Sequence, residues 1–126
     1  MSPDYSADLE RLRAIALALP EAAERSSHGS PGFHIGAKGK FFAYIWHNHH
    51  SDGETAVIVK TGGREEQAQL IEHDPAFYYS PPYLGPSGWV AMRVGSPDTD
   101  WDRVGDRVAT SWELVAPRRL LEAGGR

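Results

Sequence analysis

Apolar residues recur at helical spacing at both ends of this chain and at alternate positions between them. Leu9, Leu12, Ile15 or Ala16, and Leu19 mark one face of a helix; Asp8 and Glu10 stand near its start, where the dipole favours acids, and Pro20 closes it. The segment EAAERSSHGSPG then reads as a polar connection. Beyond it Phe33 and Ile35 share a face, Phe42, Tyr44 and Trp46 share one face of a second strand, and Phe41, Ala43 and Ile45 share the other. Gly36, Ala37, Lys38 and Gly39 signal a tight turn between the two, and Asp52 with Gly53 separates the second strand from a third carrying Val57 and Val59. Three consecutive antiparallel strands are expected.

A short helix follows, begun at Thr61 or Gly63, with Glu65 and Glu66 in its first turn and Asp74 and Pro75 as its stop. The paired prolines of FYYSPPYLGPSG predict an extended, polyproline-like path, and its glycines a turn into a strand with Val90, Met92 and Val94 on one face. A last long helix starts at Thr99 or Asp100, with Asp102 expected to reach back as a cap, and Trp101, Val104, Val108, Trp112 and Val115 form its buried stripe. Pro117 suits the first position of a short terminal helix in which Leu120 and Leu121 pack back. The pattern predicts an α+β fold: an antiparallel sheet of about four to five strands covered by N-terminal and C-terminal helices.

The length of 126 residues suits one domain spanning the chain. With no cysteine, disulfides, thiol nucleophiles and thiolate metal sites are excluded. Acids and arginines interrupt the N-terminal apolar residues, unlike a secretory signal, and no apolar run approaches membrane-spanning length. A cytoplasmic monomer without membrane attachment or cofactor is expected. The net charge of −4 means that any basic surface must be local.

The segments HGSPGFHIGAKGKFFA, VKTGGREEQAQLI, PPYLGPSGWV and SWELVAPRRL occur in this order, and together they resemble the MmcQ/YjbR family of small bacterial proteins from about Leu9 to Leu121. The resemblance implies a frataxin-like architecture and a double-wing motif proposed to bind DNA. The chain departs from it in the His-rich tip HNHHSDGE and in its acidic balance.

Two readings of function follow. In the first, Lys38, Lys40, Lys60, Arg64 and Arg93 contact DNA phosphates from the turns of the sheet, since no helix presents Arg, Asn or Gln for base reading. Arg103, Arg107, Arg118 and Arg119 are expected instead to balance neighbouring acids. In the second, the aromatic residues Tyr44, Trp46, Tyr83 and Trp89, with Tyr78 and Tyr79 nearby, line a cleft for a small aromatic ligand in a non-catalytic sequestering or sensing module. His47 and His49 alternate toward one side of a strand beside Asn48, His50 and Asp52, but two imidazoles on a hairpin tip fall short of a metal site. No metal site is assigned. His28, Ser30, His34, Asp52 and His73 stand in no catalytic spacing, so no enzyme activity is expected.

Overall fold

The computed structural model of the chain describes residues 5–37, 39–48 and 53–123. Their elements, in chain order, are α1 (Ser6–Ala16), β1 (Ala22–Ser27), β2 (Ser30–Ile35), β3 (Phe41–His47), β4 (Thr55–Val59), α2 (Arg64–His73), β5 (Tyr78–Tyr79), β6 (Val90–Arg93), α3 (Trp101–Val115) and α4 (Arg118–Glu122). The six strands form one antiparallel sheet in the order β1-β2-β3-β4-β6-β5. This is the expected α+β architecture, with a wider sheet.

One face of the sheet carries the main core. Phe33, Ile45, Val57, Val59, Val90 and Met92 project from it against Leu12 and Ala16 of α1 and Val104, Val108 and Trp112 of α3. The expected stripe of α3 is the one buried: Val104, Val108 and Trp112 are fully enclosed, and Trp101 and Val115 pack at its ends. The Trp112 indole N–H donates to the carbonyl of Pro20 at 3.1 Å, which ties α3 to the chain leaving α1. At the start of α3 the cap is Asp100, whose carboxylate accepts from the N–H groups of Asp102 and Arg103. Asp102 therefore does not reach back as expected; the residue before the helix is better placed to meet the first free N–H groups.

Three further expectations are corrected. The polar connection contains β1, an edge strand, joined to β2 by a two-residue turn with Ser27 opposite Ser30 and both His28 and Gly29 at positive φ. The faces of β3 are reassigned by a bulge: Gly32 pairs with Tyr44 and Phe33 with Ala43, but His34 pairs with Phe41. The extra residue, Phe42, joins Ala43 and Ile45 in the main core, while Phe41 turns to the side of Tyr44. The segment after Tyr79 is compact rather than extended, since Pro81 to Leu84 form a turn that runs into a 3₁₀ turn at Gly85–Ser87. Its prolines occupy turn positions, where a fixed φ is as useful as in polyproline geometry.

Candidate functional site

Among the described residues, no side chain of α1 to α4 joins the apolar cluster on the second face of the sheet. At its centre Ala56 and Ile58 of β4 and Ala91 of β6 are small or aliphatic, and Tyr44, Trp46, Tyr79, Leu84 and Trp89 pack around them. The bulge sets up a continuous aromatic row across this face. His34 meets Phe41 edge-on at 5.5 Å between centroids, Phe41 stacks on Tyr44 at 5.0 Å, and Tyr44 leans on Trp89 at 5.6 Å. Gly32 makes room for the row, because a Cβ there would lie 2.7 Å from the Phe41 ring and 3.0 Å from that of Tyr44. On β1, Arg25 lays its guanidinium over Phe41 at 4.8 Å from the ring centre.

The loop between β5 and β6 folds onto this face and forms one wall of a cleft. Two buried side chains hold it there: Gln67, which sequence reading passed over, and Thr61, expected only as a helix start. The Gln67 side-chain amide donates to the carbonyls of Gly85 at 2.8 Å and Trp89 at 2.6 Å, and the Thr61 hydroxyl donates to Gly88 at 2.6 Å. Gln67 lies on a helix whose exposed polar residues hide it; only the glycine-rich loop opposite hints at a need for side-chain donors. Gly85 packs so closely that a Cβ would meet the Ser80 hydroxyl at 2.2 Å.

The cleft, about 320 Å³, lies between the β1–β2 hairpin and this loop and is lined by Ser27, His28, Tyr44, Trp46, Tyr83 and Leu84. Three of the four aromatic residues expected at a ligand site therefore share one cleft, and the fourth, Trp89, supports Tyr44 from the side. Tyr83 is 84% exposed and adopts φ 65°; His28, on the opposite wall, adopts φ 53°. Left-handed backbone is costly for a residue with a Cβ, most of all a bulky one. At the polar end, the Tyr44 hydroxyl hydrogen-bonds the Ser27 side chain, and the Ser27 hydroxyl lies 3.2 Å from His28 Nδ1. Partial burial raises the Tyr44 pKa, opposed by the Ser27 hydrogen bond and the charge of Arg25.

The expected phosphate-contacting set is divided. Since Ala43 pairs with Val59 and His47 with Thr55, β3 begins where β4 ends, so Lys40, Lys60 and Arg64 fall at one end of the sheet. Arg93, paired with Ala56, lies toward the other end. It contacts Glu54 at 3.4 Å, donates to the carbonyls of Pro75 and Ala76, and covers the Tyr79 ring at 4.5 Å. Lys38 lies outside the described residues. Arg103, Arg107, Arg118 and Arg119 pair with Asp74, Glu66, Glu122 and Glu21, in keeping with the expected balancing role.

A second, larger hollow of about 650 Å³ opens at the Arg93 end, with Glu54, Asp74, Arg93 and Arg103 in its walls. Size alone would favour it, but both of its arginines already pair with carboxylates, Arg93 with Glu54 and Arg103 with Asp74, and Asp100 caps α3, so neither cation is left to recruit an anion. His47 borders it. Its Nδ1 lies 2.7 Å from Thr55 Oγ1, its ring stacks on Tyr5 at 4.9 Å, and its buried Nε2 has no partner among the described residues. His49, His50 and Asp52 lie outside the described residues, among which no three His, Cys, Asp or Glu side chains cluster as metal ligands. Ser30 and His34 are buried on β2, and His73 is exposed at the end of α2, so the catalytic candidates are dispersed.

Helices on one face of an antiparallel sheet and a loop-walled aromatic cleft on the other define an α+β protein with its candidate site on the uncovered face of the sheet. The YjbR family model matches residues 17–114, a segment containing the whole sheet, α2 and the cleft, and the chain belongs to the YjbR family. The fold is similar to the crystal structure of the Deinococcus radiodurans protein DR2400, described by the domain DUF419, with a TM-score of 0.72 at 18% identity over 92% of this chain and 87% of that one. No curated protein matches the sequence. Among the described residues no helix is long and apolar enough to cross a membrane.

Proposed function

We propose that this protein is a non-catalytic binding module that takes a small planar aromatic molecule into the cleft between Tyr44, Trp46 and Tyr83, for sequestration or sensing. The observation that carries the reading is the convergence of these three side chains with His28 and Tyr83, two of the four non-glycine residues at positive φ among the described residues. Strained backbone persists where the surrounding structure enforces it and collects at ligand clamps. The volume lies at the lower end of ligand clefts, roughly 300–1,000 Å³, which suits a ligand of one or two rings.

Phosphate contacts to DNA draw support from Lys40, Lys60 and Arg64 at one end of the sheet. Against that reading, Arg64 is followed by Glu65 and Glu66 in a chain of net charge −4, and Arg93 is committed elsewhere. A thermal-shift screen with planar aromatic compounds decides between the two. Hits that lose their stabilisation in Tyr83→Ala and Trp46→Ala support the cleft. A blank screen, together with salt-sensitive binding of a fluorescent duplex that Lys40→Ala plus Lys60→Ala abolishes, would overturn it in favour of DNA.

A further inference from the structure

We infer that the cleft selects planar aromatic anions, with the acidic group held at its polar end by Arg25, Ser27 and His28; this rests on the binding reading above. The charge of the lining points this way. The chain has 17 acidic residues against 13 basic ones, yet none of the described residues lining the cleft is acidic. Its polar groups are the hydroxyls of Ser27, Tyr44 and Tyr83, the His28 imidazole and the Trp46 indole N–H, each able to donate a hydrogen bond to an anion.

Arg25 supplies the full positive charge. It precedes Ser27 by two residues on β1, so both project from the same face of the sheet. Its guanidinium lies over Phe41, which stacks on Tyr44, and it is close enough to Tyr44 to favour that phenol's ionised form. Arg93, Arg103, Arg107, Arg118 and Arg119 each pair with a carboxylate, whereas Arg25 has no such partner among the described residues. A guanidinium resting on a ring keeps its outer N–H groups directed outward, where they can take a carboxylate side by side.

The main competing chemistry is a cation. Tyrosine and tryptophan together can cage an ammonium group. Here such a cation would be placed beside Arg25 with no carboxylate among the described lining residues to offset the repulsion, which decides for the anion.

Three probes of equal shape test the inference by calorimetric titration of the full chain: 2-naphthoate, neutral 2-naphthamide and 2-naphthylmethylammonium. The naphthoate is expected to bind about two- to fivefold tighter than the amide, the range an exposed charge contact provides, and the ammonium weakest. In Arg25→Gln, which keeps a polar side chain over Phe41, the naphthoate advantage should vanish while amide binding is unchanged. Equal affinity for all three probes overturns the charge selection and leaves the cleft reading standing. Tightest binding of the ammonium overturns it in favour of a cation cage, and no binding by any probe removes the binding reading itself.

Discussion

Ser111 and Phe42 meet across the main core: the Ser111 hydroxyl on α3 donates to the carbonyl of Phe42 at 2.6 Å. Phe42 is the extra residue of the β3 bulge, and a bulge leaves its extra residue outside the regular ladder. The same hydroxyl accepts from the backbone N–H of Lys60, just beyond β4, at 2.9 Å. One buried side chain thus satisfies a backbone acceptor and a backbone donor on neighbouring strands. Its position on α3 links the helix-covered core to the aromatic face, because this bulge is what sends Phe41 to the side of Tyr44.

Ser111→Ala removes both contacts and leaves two buried backbone groups unmet. Each such group costs about 1–3 kcal/mol, so the variant should lose roughly 2 kcal/mol or more of stability. Urea denaturation measures the loss. A change within about 0.5 kcal/mol, as at an ordinary surface site, would show that water replaces the hydroxyl.

At Tyr83 the strained backbone and the aromatic contact can be separated. Alanine removes the ring but keeps the left-handed penalty, whereas glycine removes both. Tyr83→Gly should therefore be more stable than Tyr83→Ala by about 1 kcal/mol, and both should bind planar aromatic probes more weakly than the unaltered protein. Thermal melts and probe titrations report the two effects separately.

These contacts also mark the limit of what the amino-acid pattern could show. The α3 stripe was readable because five large apolar residues recur at helical spacing, and four of the strands because their aromatic and branched residues alternate. β1 was not, since its sequence AAERSS has neither a branched nor an aromatic residue and is held at the sheet edge by pairing with β2. The bulge escaped notice for a different reason: alternation assumes one residue per register step, and nothing local marks where that fails. The aromatic members of the cleft stood out by type, but Ser27 and His28 reach it only through the unrecognised hairpin. Whether the basic residues converge depends on register, which composition does not carry.

Gln67 should couple loop order to binding. Gln67→Leu keeps the bulk of the side chain and removes the donors to Gly85 and Trp89; the Gly85 carbonyl keeps the Gly88 N–H at 2.9 Å, whereas that of Trp89 loses the Gln67 amide. Stability is expected to fall by about 1–3 kcal/mol, with faster hydrogen exchange of the Trp89 amide, which donates to Leu84 within this loop. Probe affinity should fall with it. Unchanged exchange there would mean that other contacts fix the cleft wall.

At Gly32 the constraint is space rather than backbone conformation. A methyl group would drive into the rings of Phe41 and Tyr44, so Gly32→Ala should cost about 1–3 kcal/mol by overpacking and displace the aromatic row. Near-ultraviolet circular dichroism, sensitive to the packing of these rings, should change, whereas the same substitution at Gly105 on α3, where a Cβ meets nothing nearer than 3.9 Å, should leave that signal intact.

Acid should weaken the fold through two ion pairs. A hydrogen bond from Arg103 holds the Asp74 pKa below its ordinary value, and Arg119 does the same for Glu21. A carboxylate whose folded pKa is lowered stabilises the fold above its unfolded value, about 4, and that contribution is lost as pH falls toward the folded value. Arg103→Met should therefore differ most from the unaltered protein near about pH 6, and the gap should narrow on titration to about pH 3. What survives at low pH reports the placement of the guanidinium over Phe77 at 4.2 Å, which does not depend on the charge of Asp74. Urea midpoints collected across this range check the trend, and a gap that widened toward acid would contradict the assigned direction of the Asp74 shift.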